Sequence, residues 1–534
     1  MSQETVSRTT PFQETEDHSA FQSILFNCLQ IELSPAAPEF FPDLNLDQVV
    51  ASITARRDEY ELQPFFHTLL PNPGIVQYRQ EVFRDLGNQK TLDSLRSFSE
   101  HMRTMRSHLA LSEKLYYKYQ KEGWFLEAIQ VYADAIAALR RDLNGIELRS
   151  NGLVRFREYL NAYTESSEFA ALVSETQKIT QGLSGVQYCL HIDGNRVEVN
   201  PYKGESDYAA DVLETFDRFR QGARWQYRFH LPSSLEMNHV EAAILEFVAQ
   251  LYPDVFASLD EYYERHRAYL DRIMERFDRE IQFYIAVVEH IDRLKKSGLS
   301  FCFPIVSDRS KEVCGREVFD VALANNLMSE MKPMVVNDFH LRGPERILVI
   351  TGPNQGGKTT FARTFGQLHY LAKIGCPVPG RDAKLFFLDR LFTHFETEEN
   401  IHNLTGKLED DLLRMHKILQ TATPNSILIM NESFLSTTLN DAVFLSKEIL
   451  TQIIERDMLC VAVTFIDELS SLNEMTVSMV STVDPKDPAI RTFKIVRKTA
   501  DGLAYAAALA NKHGLTPSEI KRRIAENGNG GDPA

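Results

Sequence analysis

The sequence predicts a multidomain protein in which a mainly α-helical region is followed by an α/β domain. Apolar residues recur at helical spacing over most of residues 20–300. After Gly298 the pattern changes to short apolar runs bounded by turn residues, such as FCFPIV, MVVNDF and ERILVI, which are typical of strands in α/β domains. The length of 534 residues allows roughly two to four domains.

Changes in composition along the chain predict the limits of the domains. Residues 1–18 are polar and predict a disordered tail, residues 19–300 form the helical region, and residues 301–524 form the α/β domain. Residues 525–534, rich in Gly and Asn, predict a second disordered tail. Within the helical region, apolar residues alternate on both sides of Asp193-Gly194, which predicts a β-hairpin at 188–200.

The strongest helical pattern runs from Leu259 to Leu294, where apolar residues recur at alternating steps of three and four. No Gly or Pro interrupts it, so the pattern predicts one helix roughly 60 Å long. Two interpretations remain open for this helix: a core element of a helical bundle, or a lever that carries motion between distant parts.

Charge and cysteine usage exclude several classes of protein. The formal net charge of −16 excludes attraction of the whole molecule to nucleic acid or to an anionic membrane, so any DNA contact must use a local basic patch. The six cysteines are scattered without a CxxC pair, which fits neither a disulfide framework nor a zinc site. The N-terminus has no apolar signal region, and no run of about 18 apolar residues occurs. We therefore expect a cytoplasmic protein without a membrane span.

The segment ERILVITGPNQGGKTTFARTFGQLHYL, residues 345–371, contains the spacing GxxxxGK[ST] between a predicted strand and a predicted helix. In this motif backbone N–H groups wrap phosphates, the lysine reaches the outer phosphates, and the hydroxyl of Thr359 binds Mg²⁺. The motif predicts a P-loop that binds ATP with Mg²⁺. The predicted nucleotide-binding residues are Gly352, Pro353, Asn354, Gly356, Gly357, Lys358, Thr359 and Thr360.

A phosphate loop needs a second strand that brings acidic groups to the metal and to the attacking water. The stretch SILIMNES, residues 426–433, is an apolar run that ends in Asn431 and Glu432. Alone it could be a plain core strand, but together with the phosphate loop it becomes the second half of the site. We expect Thr359 and Asn431 to lie at the metal and Glu432 to act as the general base, so Glu432 is the catalytic candidate.

These motifs resemble the MutS family of DNA mismatch-repair ATPases. TGPNQGGKTT is similar to the family's ATPase motif, and YLAKIGCPVPG, DRLFTHF, LIMNES and STTLNDA follow in the family's order. YAAALANKHGLTPSEIKRRI, residues 505–524, is similar to the closing helices that help pair two subunits; residues 75–86 and 259–294 resemble the core and lever region more weakly. The resemblance implies an ABC-like P-loop ATPase domain that works as a homodimer, fed by a helical lever.

Several positions depart from the family pattern. Residues 1–20 leave no room for the mismatch-reading domain, although Phe12-Gln13-Glu14 matches its wedge pattern within a polar tail. Asn431 stands where the family has Asp, and Phe465 stands where it has His. LTGKLEDDLLRM, residues 404–415, has no Ser where the family's signature Ser lies. We therefore expect an ATPase with slow hydrolysis.

Two functions are compatible with this pattern, and a third shares the ATPase fold but not the required signature. The first is an ATP-dependent DNA-binding protein of repair or recombination, a dimeric clamp on mismatched, branched or other non-duplex DNA. The second is an ATP-driven dimerisation switch or scaffold for a protein partner, which the acidic charge favours. The third, a transporter motor, would need an LSGGQ signature that residues 400–415 lack. The candidate DNA-binding clusters are Arg140-Arg141, Lys295-Lys296 and Lys521 to Arg523, and for each of them a solvated helix face is the favoured interpretation.

Overall fold

The computed structural model describes residues 21–27, 31–194, 196–205, 237–396, 406–434, 436–487, 490–500 and 520–522. The expectations for the two tails, for Phe12-Gln13-Glu14 and for the closing helices at 505–519 lie outside these residues. Among the described residues no single helix is long and apolar enough to cross a membrane; one bent pair, His239–Leu251 with Pro253–Arg265, reaches that length and composition.

The described helices and strands follow one another along the chain. The helices are Leu46–Thr54 (α1), Gln63–His67 (α2), Pro73–Asp85 (α3), Gln89–Lys114 (α4), Lys118–Asn144 (α5), Asn151–Glu165 (α6), Ser167–Ser184 (α7), His239–Leu251 (α8), Pro253–Arg265 (α9), Arg272–Lys295 (α10), Val321–Ser329 (α11), Lys358–Lys373 (α12), Lys407–Thr421 (α13) and Leu439–Glu455 (α14). The strands are Tyr188–Asp193 (β1), Arg196–Pro201 (β2), Phe301–Cys302 (β3), Ile305–Ser307 (β4), Val313–Val318 (β5), Asn337–Leu341 (β6), Ile347–Thr351 (β7), Val378–Pro379 (β8), Asp382–Phe386 (β9), Leu391–Phe395 (β10), Ile427–Asn431 (β11), Leu459–Val463 (β12), Thr476–Val483 (β13) and Arg491–Arg497 (β14).

Contacts divide the chain into two units that do not follow chain order. The first, here called the helical unit, contains Gly87–Arg149 and Leu153–Asp278. The second, here called the sheet unit, contains Gln22–Leu86, Ser150–Gly152 and the chain from Arg279 onward. The sequence predicted a helical region followed by an α/β domain, and the helical and mixed α/β parts are both present. The predicted limits at residues 18, 300 and 524 stay predictions.

The helical unit is built around the long helices α4 and α5, which have 26 and 27 residues. One face of α5 is buried through residues spaced by three and four, including Phe125, Ile129, Tyr132 and Ile136. The predicted hairpin is confirmed, because β1 and β2 pair antiparallel with Asp193 opposite Arg196.

The single long helix predicted for Leu259 to Leu294 is wrong. Helix α9 ends at Arg265 and α10 begins at Arg272. The side chain of Asp271 accepts hydrogen bonds from the backbone N–H groups of Ile273 and Met274, at 3.0 and 2.9 Å. This is an N-cap interaction that starts a new helix. Apolar spacing continues across the break, so the periodicity did not reveal it.

Glu122, on a buried turn of α5, gives the helical unit a pH-dependent contribution to stability. Its side chain is only 4% exposed, and burial raises its pKa to about 8, with Asp260 and Glu264 adding to the increase and Lys118 opposing it. Because the folded-state pKa lies above the unfolded value, the stabilisation is fully present below about pH 4.5 and is lost as the pH rises through about 8.

We expect Glu122→Gln, which resembles the protonated carboxyl, to raise the thermal unfolding temperature at pH 8 and to change it little at pH 5. Thermal unfolding of both proteins across this pH range checks the prediction. Glu261→Gln is the matched control, because Glu261 is exposed and its side chain is 76% accessible. Equal shifts at both pH values would contradict a buried, protonated Glu122.

The sheet unit contains a six-stranded sheet in the order β10-β11-β12-β7-β13-β14. The first five strands in this order, β10, β11, β12, β7 and β13, are parallel, and the edge strand β14 is antiparallel to β13. The residues of β7 and β12 are all buried, as are the first four of β11. Such continuous apolar strands are typical of parallel sheets covered on both faces. A four-stranded sheet, β4-β9-β5-β6, and the short pair β3-β8 complete the unit.

Residues 22–86 of the sheet unit hold helix α12 along its length. Arg79 is fully buried, and its guanidinium lies 4.8 Å from the centroid of the Phe26 ring and 5.1 Å from that of Phe283. Four hydrogen bonds connect this segment to α12 and the residue after it: Arg363 Nε to Asp43 O at 2.9 Å, Gln367 Nε2 to Leu44 O at 2.9 Å, Tyr370 Oη to Phe66 O at 2.7 Å, and Arg79 Nη1 to Ile374 O at 2.8 Å. The helix that begins at the glycine-rich motif is therefore fixed at both its middle and its end.

Candidate nucleotide site

The glycine loop, defined as residues 352–357, connects β7 to α12 at the carboxyl edge of the six-stranded sheet. The predicted strand, loop and helix are thus confirmed as elements. Gly352 has φ of 115° and Gly357, the N-cap of α12, has φ of 90°, conformations that favour glycine. Among the residues that the structure describes, no side chain caps this helix. Its first N–H groups therefore point into the loop, where an anion can accept from them.

The small residues of the glycine loop are also required by the neighbouring strand β13. A Cβ on Gly352 would lie 2.8 Å from the carbonyl oxygen of Ser481, and one on Gly356 would lie 2.2 Å from its hydroxyl oxygen. The Ser481 hydroxyl donates a hydrogen bond to Gly356 O at 2.7 Å. Ser481 was not predicted, because its contact with the loop comes from β13 and leaves no local signal in the sequence.

Lys358 lies inside the loop with its side chain only 4% exposed. Its ammonium donates to Gly352 O at 3.0 Å, to Pro353 O at 3.3 Å and to Asn354 Oδ1 at 3.1 Å. Glu432 Oε1 lies 3.7 Å from the same Nζ atom. Burial lowers the pKa of Lys358, and the charge of Glu432 opposes that decrease. A buried ammonium surrounded by weak acceptors can transfer its hydrogen bonds to a phosphate at little cost.

Thr359 and Asn431 meet across the carboxyl edge of the sheet. The Thr359 hydroxyl donates to Asn431 Oδ1 at 2.8 Å. Two adjacent oxygen ligands of an octahedral Mg²⁺ lie about 3.0 Å apart, given metal–oxygen distances of about 2.1 Å. The pair therefore fits two neighbouring positions around a magnesium ion, or one ligand and one metal-bound water.

The described residues contain no cluster of three or more His, Cys, Asp or Glu side chains that could hold a metal. Thr360, the remaining predicted residue, lies partly exposed in the first turn of α12.

Glu432 follows β11 directly and has φ of 52°, a left-handed conformation that is uncommon for a non-glycine residue. Its N–H donates to Val463 O on β12 at 2.9 Å. The chain therefore turns sharply after Asn431, and the carboxylate, 28% exposed, faces Lys358. Strained positions of this kind often occur at functional sites.

A buried histidine supports the turn after β11. His394 on β10 is fully buried, and its Nε2 lies 3.2 Å from the carbonyl oxygen of Asp411. Burial lowers the pKa of His394, with Arg414 adding to the decrease. Because a carbonyl only accepts, Nε2 carries the proton and Nδ1 accepts from the Ser433 hydroxyl at 2.9 Å. His394 lies within the motif DRLFTHF, but no role for it was predicted from the sequence.

Two residues of the edge strand β14 also lie beside the glycine loop. Arg491 Nε donates to Asn354 O at 3.3 Å. The Phe493 ring is next to Gly357, where an added Cβ would lie 3.7 Å from the Cβ of Phe493, and Phe493 is 48% exposed. Neither residue was predicted, because β14 is far from the loop in sequence.

The positions that depart from the family pattern are partly visible. Phe465 follows β12 and is 49% exposed, so its ring is not part of the core. The Thr464 hydroxyl accepts a hydrogen bond from the N–H of Ile466 at 3.0 Å. Helix α13 begins at Lys407, and residues 404 and 405 of the stretch without the signature Ser lie outside the described residues.

Residues 348–526 match the family model of MutS domain V. This part of the chain is therefore similar to domain V of the MutS family. The match includes β7 from its second residue, the glycine loop, β11 and β14. It therefore covers every residue predicted for the site.

Individual MutS relatives match parts of the chain. The DNA mismatch repair protein MutS of Chlorobaculum tepidum is 30% identical over 196 residues, which are 36% of this chain and 22% of the relative. The DNA mismatch repair protein MSH3 of Eremothecium gossypii is 32% identical over 140 residues, 26% of this chain and 14% of the relative. MutS of Thermotoga petrophila is 25% identical over 302 residues, 55% of this chain and 36% of the relative. The chain thus spans less than half the length of these curated relatives.

Proposed function

We propose that the chain is a MutS-like protein that binds ATP with Mg²⁺, hydrolyses it slowly and couples ATP binding to a dimeric clamp on mismatched, branched or other non-duplex DNA. The observation that carries the proposal is the Thr359–Asn431 hydrogen bond of 2.8 Å, formed beside Lys358 and the uncapped start of α12. The groups that can donate hydrogen bonds to a phosphate and the oxygens that can bind a metal therefore lie at one edge of the sheet.

Different residues in and beside the glycine loop bind different parts of ATP. The N–H groups at the start of α12 bind phosphate oxygens, and Lys358 neutralises the outer phosphates in a site where its charge is poorly screened. Thr359 and Asn431 hold the magnesium ion, which neutralises further charge on the phosphates when bound. The exposed Phe493 ring offers an apolar face beside the loop, on which a nucleotide base can stack.

Glu432 is the proposed general base. It lies within the same charged cluster as Lys358 and is held by its N–H bond to β12. His394 fixes the next residue, Ser433, and thereby limits the positions that the Glu432 backbone can adopt. A carboxylate held in this way can orient a water molecule toward the outermost phosphate.

Two substitutions relative to the family pattern support slow turnover. Asn431 can coordinate through its amide oxygen but supplies no negative charge. Phe465 supplies no hydrogen-bond donor where the family has histidine. Positioning and charge contribute most of the catalysis of phosphoryl transfer. We therefore expect this site to hydrolyse ATP more slowly than most ATPases and to keep ATP bound for longer.

The alternative function is an ATP-driven dimerisation switch or scaffold for a protein partner. The acidic net charge of −16 favours it. So does the pairing of one candidate DNA cluster, because Arg140 forms an ion pair with Glu165 and Arg141 with Asp142. Paired arginines attract phosphates less strongly than free ones. A cytoplasmic homodimer is part of both proposals.

A DNA-binding measurement separates these two functions. We expect a labelled four-way DNA junction to bind more tightly with a non-hydrolysable ATP analogue than without it, and binding to weaken steeply between 50 and 200 mM salt, as phosphate contacts require. Lys358→Ala should remove the effect of the nucleotide but not the salt dependence. Absence of DNA binding at low salt, with ATP binding intact, would contradict the clamp and favour the switch.

A further inference from the structure

A cleft of about 480 Å³ lies in the helical unit, remote in sequence from the glycine loop. It is formed by the start of α5 and by α8 and α9, and its volume is in the range of small-molecule sites. The lining includes Tyr117, Lys118, Tyr119, Glu246, Phe256 and Asp260. Aromatic rings and charged groups therefore share one concave surface.

The charges of the cleft are arranged to attract a cation. Lys118 Nζ lies 2.7 Å from Asp260 Oδ1, so the ammonium already on the lining is paired. Glu246, on the α8 side, adds a further carboxylate. The ring of Tyr119 lies 5.0 Å from the Lys118 ammonium, a cation–π distance that shows how an aromatic face supports positive charge here.

A buried carboxyl behind Asp260 adds to this preference. Glu122 is 4% exposed, and its Oε2 has no hydrogen-bond partner among the described residues. Burial raises the pKa of Glu122 to about 8, and the neighbouring Asp260 carboxyl adds to the increase, so Glu122 carries a proton near pH 7. A cation that enters the cleft competes with this proton for the same pair of carboxyls.

We propose that this cleft binds an organic cation, an alkylammonium or guanidinium group, between the carboxylates of Asp260 and Glu246 and the tyrosine rings. An alkylammonium matches a lining that is partly apolar, because its carbon chain is stabilised by the aromatic walls while its charge meets the carboxylates. A hydrated metal ion has no such apolar part. The cation is supplied either by a free polyamine or by a lysine or arginine side chain of a protein.

Calorimetry at low salt tests the proposal on the full chain, with spermidine, the tripeptide acetyl-Gly-Lys-Gly-amide, 1,8-octanediol and MgCl₂ as probes. We expect one saturable site for spermidine or the tripeptide, and none of comparable affinity for the neutral diol or Mg²⁺. Tighter binding of spermidine identifies a free polyamine as the ligand, whereas tighter binding of the tripeptide identifies a protein side chain.

Variants locate the binding site. Asp260→Asn should weaken binding by roughly tenfold or more, as for loss of a charge-assisted hydrogen bond, and the exposed Glu246→Gln should weaken it without risk to the fold. Glu261→Gln, which removes the same charge one residue away from Asp260, should change affinity less than about twofold, because Glu261 does not line the cleft.

Proton release on binding tests whether the cation affects the buried carboxyl pair. Binding near pH 7 should release protons, seen as a difference in heat between phosphate and Tris buffers, and Glu122→Gln should remove that difference. Equal affinity of wild type, Asp260→Asn and Glu246→Gln would overturn the proposal, as would the absence of a saturable site for either cation.

Discussion

Lys358→Ala is expected to weaken ATP binding by about 2 kcal/mol or more, roughly thirtyfold in Kd. The lysine side chain is buried among the carbonyl groups of the glycine loop, so no solvent counter-ion can replace its charge. A phosphate that enters the loop without this ammonium faces backbone donors alone. Titration calorimetry with a non-hydrolysable ATP analogue and Mg²⁺ measures the effect.

Lys447→Ala is the matched control for this experiment. Lys447 lies in the same unit on α14, and its side chain is 42% exposed in an ion pair with Glu468. The control should bind the analogue like wild type. Equal affinity of wild type and Lys358→Ala, with both proteins folded by circular dichroism, would remove the basis for a phosphate-binding loop.

Glu432→Gln is expected to reduce single-turnover ATP hydrolysis by about 100-fold or more, because general-base catalysis typically contributes that much. The glutamine keeps the size of the side chain, and the backbone bond to Val463 does not depend on it. ATP affinity should change little by comparison. Glu455→Gln, at the exposed end of α14, is the control and should hydrolyse ATP like wild type.

Asn431→Asp is expected to act in the opposite direction. A carboxylate 2.8 Å from the Thr359 hydroxyl adds a negative charge at the metal position, so it should tighten Mg²⁺ binding or raise the hydrolysis rate. Asn425→Asp, the same change just before the opposite end of β11, should do neither. Radiolabelled ATP at matched Mg²⁺ concentrations compares these proteins. Fast wild-type turnover that is insensitive to Glu432→Gln would contradict both the slow clamp and the role of Glu432.

Local patterns predicted the parts of the site that lie within one segment. The apolar run that becomes β7, the glycine spacing and the start of α12 are all encoded between residues 345 and 371, so the motif predicted them together. Strand β11 was predictable because four consecutive apolar residues end at a polar pair. Its position next to the glycine loop could be predicted only together with the glycine motif, because the sequence of one buried strand does not indicate which strands lie beside it.

Contacts between distant segments could not be predicted from these patterns. Ser481 and Phe493 reach the glycine loop because β13 and β14 lie beside β7 in the sheet, an order that strand patterns do not specify. From the sequence alone, Arg79 would be expected on the surface of a helix. In the structure it is fully buried and donates a hydrogen bond to the carbonyl of Ile374, directly after α12. The break before α10 was missed for the converse reason, because a single capping residue, Asp271, overrides a continuous apolar period.

A crystal structure with a non-hydrolysable ATP analogue and Mg²⁺ shows directly whether Thr359, Asn431 and Glu432 form one nucleotide site with the glycine loop. We expect phosphates within the glycine loop, Mg²⁺ bound to the Thr359 hydroxyl, and Asn431 either bound to the metal or to one of its waters. Glu432 should face the outermost phosphate through a water molecule. Nucleotide bound elsewhere, or a magnesium ion remote from both Thr359 and Asn431, would show that these residues do not form one nucleotide site.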